Sequence, residues 1–142
     1  MEYDQLKLEN QLCFPLYACA KEVVKKYKPF LDEIGLTYTQ YIVMMVLWEQ
    51  KRANVKLLGE YLYLDSGTLT PLLKKLESNG FIVRERALSD ERNVMVTLTQ
   101  TGEELKKKAA LIPEKIKQCL SLSTDEAVSL YRLLYKVLGQ VK

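Results

Sequence analysis

The sequence has no histidine among its 142 residues. That one absence excludes the Ser-His-Asp triad, Cys-His dyads, His-ligated zinc and imidazole acid–base chemistry, and with them most hydrolase mechanisms. Cysteine is scarce: Cys13, Cys19 and Cys119 form no CxxC pair and no metal-ligand spacing, and an odd count argues against a disulfide framework. Neither GxGxxG nor a GxxxxGK loop occurs, so no phosphate-cradling turn is implied. No apolar run reaches the ~18 to 20 residues that span a bilayer. The opening Met1-Glu2-Tyr3-Asp4 also lacks the basic and apolar regions of a signal peptide, which points to a cytoplasmic protein with no membrane partner. No catalytic residue, cofactor or metal is implied.

What is present reads as one globular domain over residues 1–142. The chain is 48% hydrophobic with a net charge of +3, and its length suffices to bury a core without disulfides or a structural metal. Six glycines and four prolines interrupt it, and apolar residues recur at helical spacing, so the fold is expected to be mainly α. The pattern predicts a first helix from about Leu6 to Lys28, with an uncharged run from Leu12 to Ala20 that needs partners on every side. Thr39 to Gln50 reads as a second, strongly buried helix. Asn54 caps a short third helix with Leu57, Leu58, Tyr61 and Leu62 inward.

A fourth helix follows the cap chemistry of Asp65-Ser66-Gly67-Thr68. Leu69, Leu72, Leu73 and Leu76 fall at i, i+3, i+4 and i+7, and Asn79-Gly80 supplies the stop. Its other face carries Ser66, Thr68, Thr70, Pro71, Lys74, Lys75 and Ser78, hydroxyls and cations without a carboxylate, a face suited to an anion. Phe81–Arg86 and Asn93–Leu98 are β-branched and partly alternating, separated by a charged turn, and read as a two-stranded hairpin. Thr99 or Thr101 then caps a long helix carrying Leu105, Ala109, Ile112, Ile116 and Cys119. Ser123-Thr124-Asp125-Glu126 is a capping box opening a last helix with Leu130, Tyr131, Leu134, Val137 and Leu138 on one side. The near-heptad terminal stripes favour a homodimer.

Helix, short helix, polar-faced helix and basic hairpin follow in the order of a winged helix-turn-helix, here about residues 39–98, whose second helix lies in the major groove. Lys74, Lys75, Arg84, Arg86 and Arg92 fall on the two elements that would face phosphates. The competing reading is an ordinary solvated helix face and an ordinary packed hairpin.

The segment Asp65 to Glu77, followed by Asp90-Glu91-Arg92, resembles the MarR family of winged-helix regulators. Gln11-Leu12-Cys13-Phe14 and Leu36-Thr37-Tyr38 are further similar to its organic-hydroperoxide-sensing, OhrR-like branch, and the likeness covers nearly the whole chain. The resemblance implies a dimer built from the terminal helices, about 6–28 and 100–141, that binds a pseudo-palindromic operator in double-stranded DNA and represses transcription. It implies that Ser66, Thr68, Thr70 and Lys75 meet bases and phosphates, that Arg92 enters the minor groove and that Asp90 orients it. Two-fold symmetry would set the recognition helices roughly 34 Å apart.

Cys13 alone reads as a small buried hydrophobe, and no cation stands one turn away on its own helix. The resemblance makes it the sensor of organic hydroperoxide, with Tyr27 and Tyr38 donating hydroxyl hydrogen bonds to its thiolate. Cys19, six positions along the same helix and about 9 Å away in rise, cannot bridge to it. Cys119 resembles the resolving cysteine of two-cysteine members; the alternative is a core Cys119 and a small cellular thiol as resolving partner. Two other functions compete. One is a MarR-type repressor released by small aromatic ligands, with Tyr17, Tyr27, Tyr38, Tyr41 and Trp48 lining a pocket and Cys13 structural. The other, more distant, is a thiol peroxidase.

Overall fold

The computed structural model describes the backbone of residues 3–87 and 90–141, and their side chains except at 87, 90–92, 140 and 141. The chain is mainly helical with one small antiparallel sheet, and it divides into two compact units, Met1–Ile112 and Pro113–Lys142.

Helix α1 spans Cys13–Asp32, starting later and ending later than the sequence pattern suggested. Two 3-10 turns, Asp4–Leu6 and Leu8–Asn10, precede it. They are tied down by Asn10, whose amide donates to the Asp4 carbonyl at 2.8 Å, and by Gln11, whose amide donates to the carbonyls of Gln5 and Lys7 at 2.9 and 2.7 Å. The late start places Pro15 in the first turn, where the backbone donors lack intrahelical partners anyway, while Pro29 of α1 is accommodated further along the helix. Thr37 then opens α2, Tyr38–Gln50, with a reciprocal cap, accepting from the Gln40 N–H while the Gln40 side chain accepts from the Thr37 N–H. Tyr41, Val43, Met44, Leu47 and Trp48 of α2 are all buried at the centre of the first unit.

A strand of three residues, β1 (Arg52–Asn54), leads into α3 (Val55–Leu62). The Asn54 side chain caps α3 as expected, accepting from the Leu57 N–H at 2.7 Å. Asp65 does the same for α4 (Ser66–Ser78), accepting from the Thr68 N–H at 2.7 Å. After Gly80, at φ +83, come β2 (Ile82–Ala87) and β3 (Asp90–Leu98), with a register irregularity between Arg86 and Ala87. The hairpin is therefore part of a three-stranded sheet in the order β1-β3-β2, with Ala53 opposite Val96 and Ile82 opposite Leu98. A strand as short as β1 leaves no alternation to detect, which is why the sequence pattern shows two strands.

The expected long helix is two helices. Thr99 caps α5 (Gln100–Ala109) by accepting from the Gly102 N–H at 3.0 Å, and α6 (Ile112–Leu120) begins afresh. Pro113 sits where a continuous helix would need a donor and a free preceding carbonyl, so the break belongs at that point. In the second unit, α7 (Thr124–Val141) opens with the predicted capping box: Glu126 accepts from the Ser123 N–H at 2.9 Å and donates its own N–H to the Ser123 hydroxyl at 3.1 Å. Its apolar residues Val128, Leu130, Tyr131, Leu133, Tyr135 and Val137 are all exposed.

Candidate nucleic-acid interface and thiol site

Helix α4 is amphipathic as the spacing requires. Leu69, Leu72, Leu73 and Leu76 are buried, and Ser66, Thr68, Thr70, Lys74 and Lys75 form the exposed face. Asp65, at the helix start, is held below the usual carboxylate range chiefly by the Thr68 backbone N–H it accepts. The Thr70 hydroxyl donates back to the Ser66 carbonyl at 2.8 Å. The face therefore presents two cations and three hydroxyls, with its carboxylate committed to the cap.

The wing is braced to this helix by a residue the sequence reading passed over. Glu77 accepts the Arg84 backbone N–H at 2.9 Å and the Arg84 guanidinium at 3.0 and 3.3 Å. Those bonds, the backbone one first, lower the Glu77 carboxyl below its ordinary range. Arg84 is thus occupied in joining β2 to α4, whereas Arg86 is exposed. Asp90 and Arg92 belong to β3 by their backbone, and their side chains lie outside the described residues.

Cys13, Cys19 and Cys119 are all free and exposed. Cys13 does not sit buried in mid-helix: it is the first residue of α1, and the residues that a longer helix would place one turn before it, Glu9 and Asn10, belong to a 3-10 turn. The cysteine pair on α1 is separated along one helix as anticipated. Cys119 stands near the end of α6, in the second unit.

Tyr27 and Tyr38 do come together, with ring centroids 4.9 Å apart, and Tyr41 joins them at 5.8 and 6.2 Å. Burial, and then its two neighbours, pushes the Tyr27 phenol up to about 12. Burial likewise raises Tyr38, and burial and Tyr38 raise Tyr41. All three therefore remain protonated donors near neutral pH. Tyr27 is fourteen positions beyond Cys13 on one continuous helix, about 21 Å of rise, so these hydroxyls do not reach the sulfur of their own chain. Nor do the five aromatics line one pocket: Tyr41 and Trp48 are 3% and 8% exposed core residues, while Tyr17 is 63% exposed. Among the described residues no cluster of three or more metal-ligating side chains forms, and no helix is long and apolar enough to cross a membrane.

A helix-turn-helix whose second helix shows hydroxyls and cations, braced by a hairpin wing, defines the class of winged-helix regulators. Comparison with known proteins narrows it. Residues 25–109 match the family model described as transcriptional regulator SarA/Rot. The chain is 48% identical over 137 residues to the organic hydroperoxide resistance transcriptional regulator of Bacillus subtilis, covering 96% of this chain and 93% of that protein. Among solved structures it is similar to AbfR of Staphylococcus epidermidis. For reduced AbfR bound to DNA the identity is 36% over 99% of both chains, at a TM-score of 0.79. For the disulfide form it is 37% over 96% of this chain and 93% of that one, at 0.66. The chain belongs to the MarR-type winged-helix transcriptional regulators, in their organic-hydroperoxide-sensing branch.

Proposed function

We propose that the chain is a homodimeric repressor that binds a pseudo-palindromic operator through α4 and the wing and releases it when an organic hydroperoxide oxidises Cys13. The observation that carries this reading is the exposed thiol at the head of α1 in a chain that also holds a cluster of protonated tyrosines. The first turn of a helix has free backbone N–H groups and the positive end of the macrodipole, a setting that suits an anion. The tyrosines supply hydrogen-bond donors. Because about 21 Å of helix separates them from the sulfur in one chain, Tyr27 and Tyr38 act on Cys13 of a second subunit.

In the first step the Cys13 thiolate attacks the terminal peroxide oxygen. The S–O bond forms as the O–O bond breaks, and the departing alkoxide takes a proton to leave as alcohol, with Cys13 now a sulfenic acid. In the second step the Cys119 thiolate attacks that sulfur, a disulfide forms, and hydroxide leaves as water after taking up a proton. AbfR has been solved both overoxidised on DNA and as a disulfide. This supports the bridge, rather than added charge on the sulfur, as the releasing event. On DNA, Ser66, Thr68, Thr70, Lys74 and Lys75 meet base edges and phosphates, Arg86 and Arg92 extend the contact along the wing with Asp90 orienting Arg92, and Arg84 holds the wing in place through Glu77.

The test is operator binding by the reduced protein, again after one equivalent of an organic hydroperoxide, and again after dithiothreitol. Native protein should bind, release and rebind. Cys13→Ser should bind with native affinity and never release; a Cys13→Ser protein that still releases at stoichiometric peroxide sinks the assignment. Cys119→Ser should oxidise yet stay bound, and a non-reducing gel of oxidised native protein should show a crosslinked dimer.

A further inference from the structure

Trp48, the chain's one tryptophan, lies at the far end of α2 from the tyrosine cluster. Its indole N–H donates to the Gly102 carbonyl at 2.9 Å, a buried bond between residues 54 positions apart. Its ring stands edge-on to Tyr41, 6.4 Å between centroids, and Tyr41 contacts both Tyr27 and Tyr38. On its other side Gly102 is pinned to the turn between α4 and β2. A Cβ at Gly102 would collide with the Phe81 carbonyl, so the two backbones lie flush. Thr99 accepts from the Gly102 N–H at 3.0 Å, its hydroxyl donates to the Gly80 carbonyl at 2.6 Å, and its own N–H donates to the Phe81 carbonyl at 3.1 Å.

An unbroken line of packed rings and directed hydrogen bonds thus runs from Tyr27 and Tyr38 through Tyr41 and Trp48 to the turn that joins the recognition helix to the wing. We propose that Trp48 is the positioning residue that couples the tyrosine cluster to the DNA-reading elements. The inference rests on the redox-release reading and adds the internal path. A close-packed core does not absorb a shifted ring, so displacement of Tyr27 or Tyr38 at the oxidised sulfur passes to Tyr41 and Trp48. The Trp48–Gly102 hydrogen bond then carries it to Gly80 and Phe81, which set the angle between α4 and the wing.

Trp48→Phe keeps an aromatic ring and removes the N–H. Reduced Trp48→Phe should bind operator within about threefold of native affinity, and Cys13 should lose its thiol to peroxide at the native rate. The drop in operator affinity on oxidation should shrink by about tenfold. A general loss of structure would weaken reduced binding; uncoupling oxidation from release would not. Tyr41→Leu breaks the ring contact instead and should give the same uncoupling, with the double variant no worse than either single one. Should Trp48→Phe fail to fold, as judged by circular dichroism, Tyr41→Leu carries the test. A folded variant of either kind that releases DNA with the native fold-change overturns the proposal. Native protein that binds operator but is not released by oxidation overturns the redox reading beneath it.

Discussion

The DNA-reading head and the terminal helices are equally rich in apolar residues and use them in opposite ways. In the head, Leu47, Leu58, Leu69, Leu73 and Leu76 are 0 to 1% exposed, and α2, α3, α4 and α5 each begin with a side chain that accepts a backbone N–H. On α7, on the first half of α1 and at its N-cap, Leu12, Phe14, Leu16, Val128, Tyr131 and Leu133 are all exposed. The apolar positions of α7 spread over an arc of about 220°, more than one neighbouring helix covers. One chain therefore finishes its reading head alone, while its ends leave apolar side chains exposed, as a dimer contact proposed there would require. The three thiols are likewise exposed, outside the buried core.

The largest expected contrast is in stability. Leu76→Ala empties a fully buried site and should cost about 2 to 5 kcal/mol in denaturant unfolding. Truncating an exposed α7 leucine to alanine should cost far less when measured at a protein concentration below the dimer dissociation constant. Assembly should show the reverse sensitivity. Leu133→Asp should weaken the dimer by roughly 2 kcal/mol, about thirtyfold, in sedimentation equilibrium, and leave the head's secondary structure unchanged. A smaller effect belongs to the brace within the head: Glu77→Gln keeps shape but weakens the clamp on Arg84, and operator affinity should fall about fivefold. Equal effects at Leu133 and Leu76 on both readouts would erase the distinction.

The smallest effect is a pH dependence. The folded Tyr27 phenol stands at about 12, above its value near 10 in an unfolded chain. The unfolded state releases its proton first, so this contribution is fully present below pH ~10 and is lost as pH rises through the folded value. Tyr27→Phe should remove that loss and move the alkaline unfolding midpoint upward, followed by circular dichroism between pH 9 and 12.

Much of the fold was legible because it was written locally. Asn54, Asp65, Thr99 and Ser123 are caps whose partners lie three residues on, and the leucine spacing of α4 is a property of one helix; the Thr37 cap of the same kind went unread, because the second helix was expected from Thr39. What stayed hidden depends on distant strands of chain. The short β1 exists because β3 pairs with it. Arg84 looked like a free cation until Glu77, seven residues earlier and across a turn, was seen to hold it. The Trp48–Gly102 bond joins two helices that no local pattern relates. At the thiol site, the family resemblance pointed to Cys13, Tyr27 and Tyr38 where the residues alone read Cys13 as a buried hydrophobe, and only the observed helix showed that sulfur and phenols of one chain are far apart. The apolar spacing on either side of Pro113 read as one long helix, and only the structure showed α6 starting afresh at Ile112.

Cys13 heads α1 rather than lying within it. The terminal turn of a helix frays at little free-energy cost, so the sulfur can swing toward a second thiol while only that turn unwinds. On the proposed redox reading Cys13 is a fuse at the edge of the structure, which oxidation would blow and reductant reset without asking the reading head to refold.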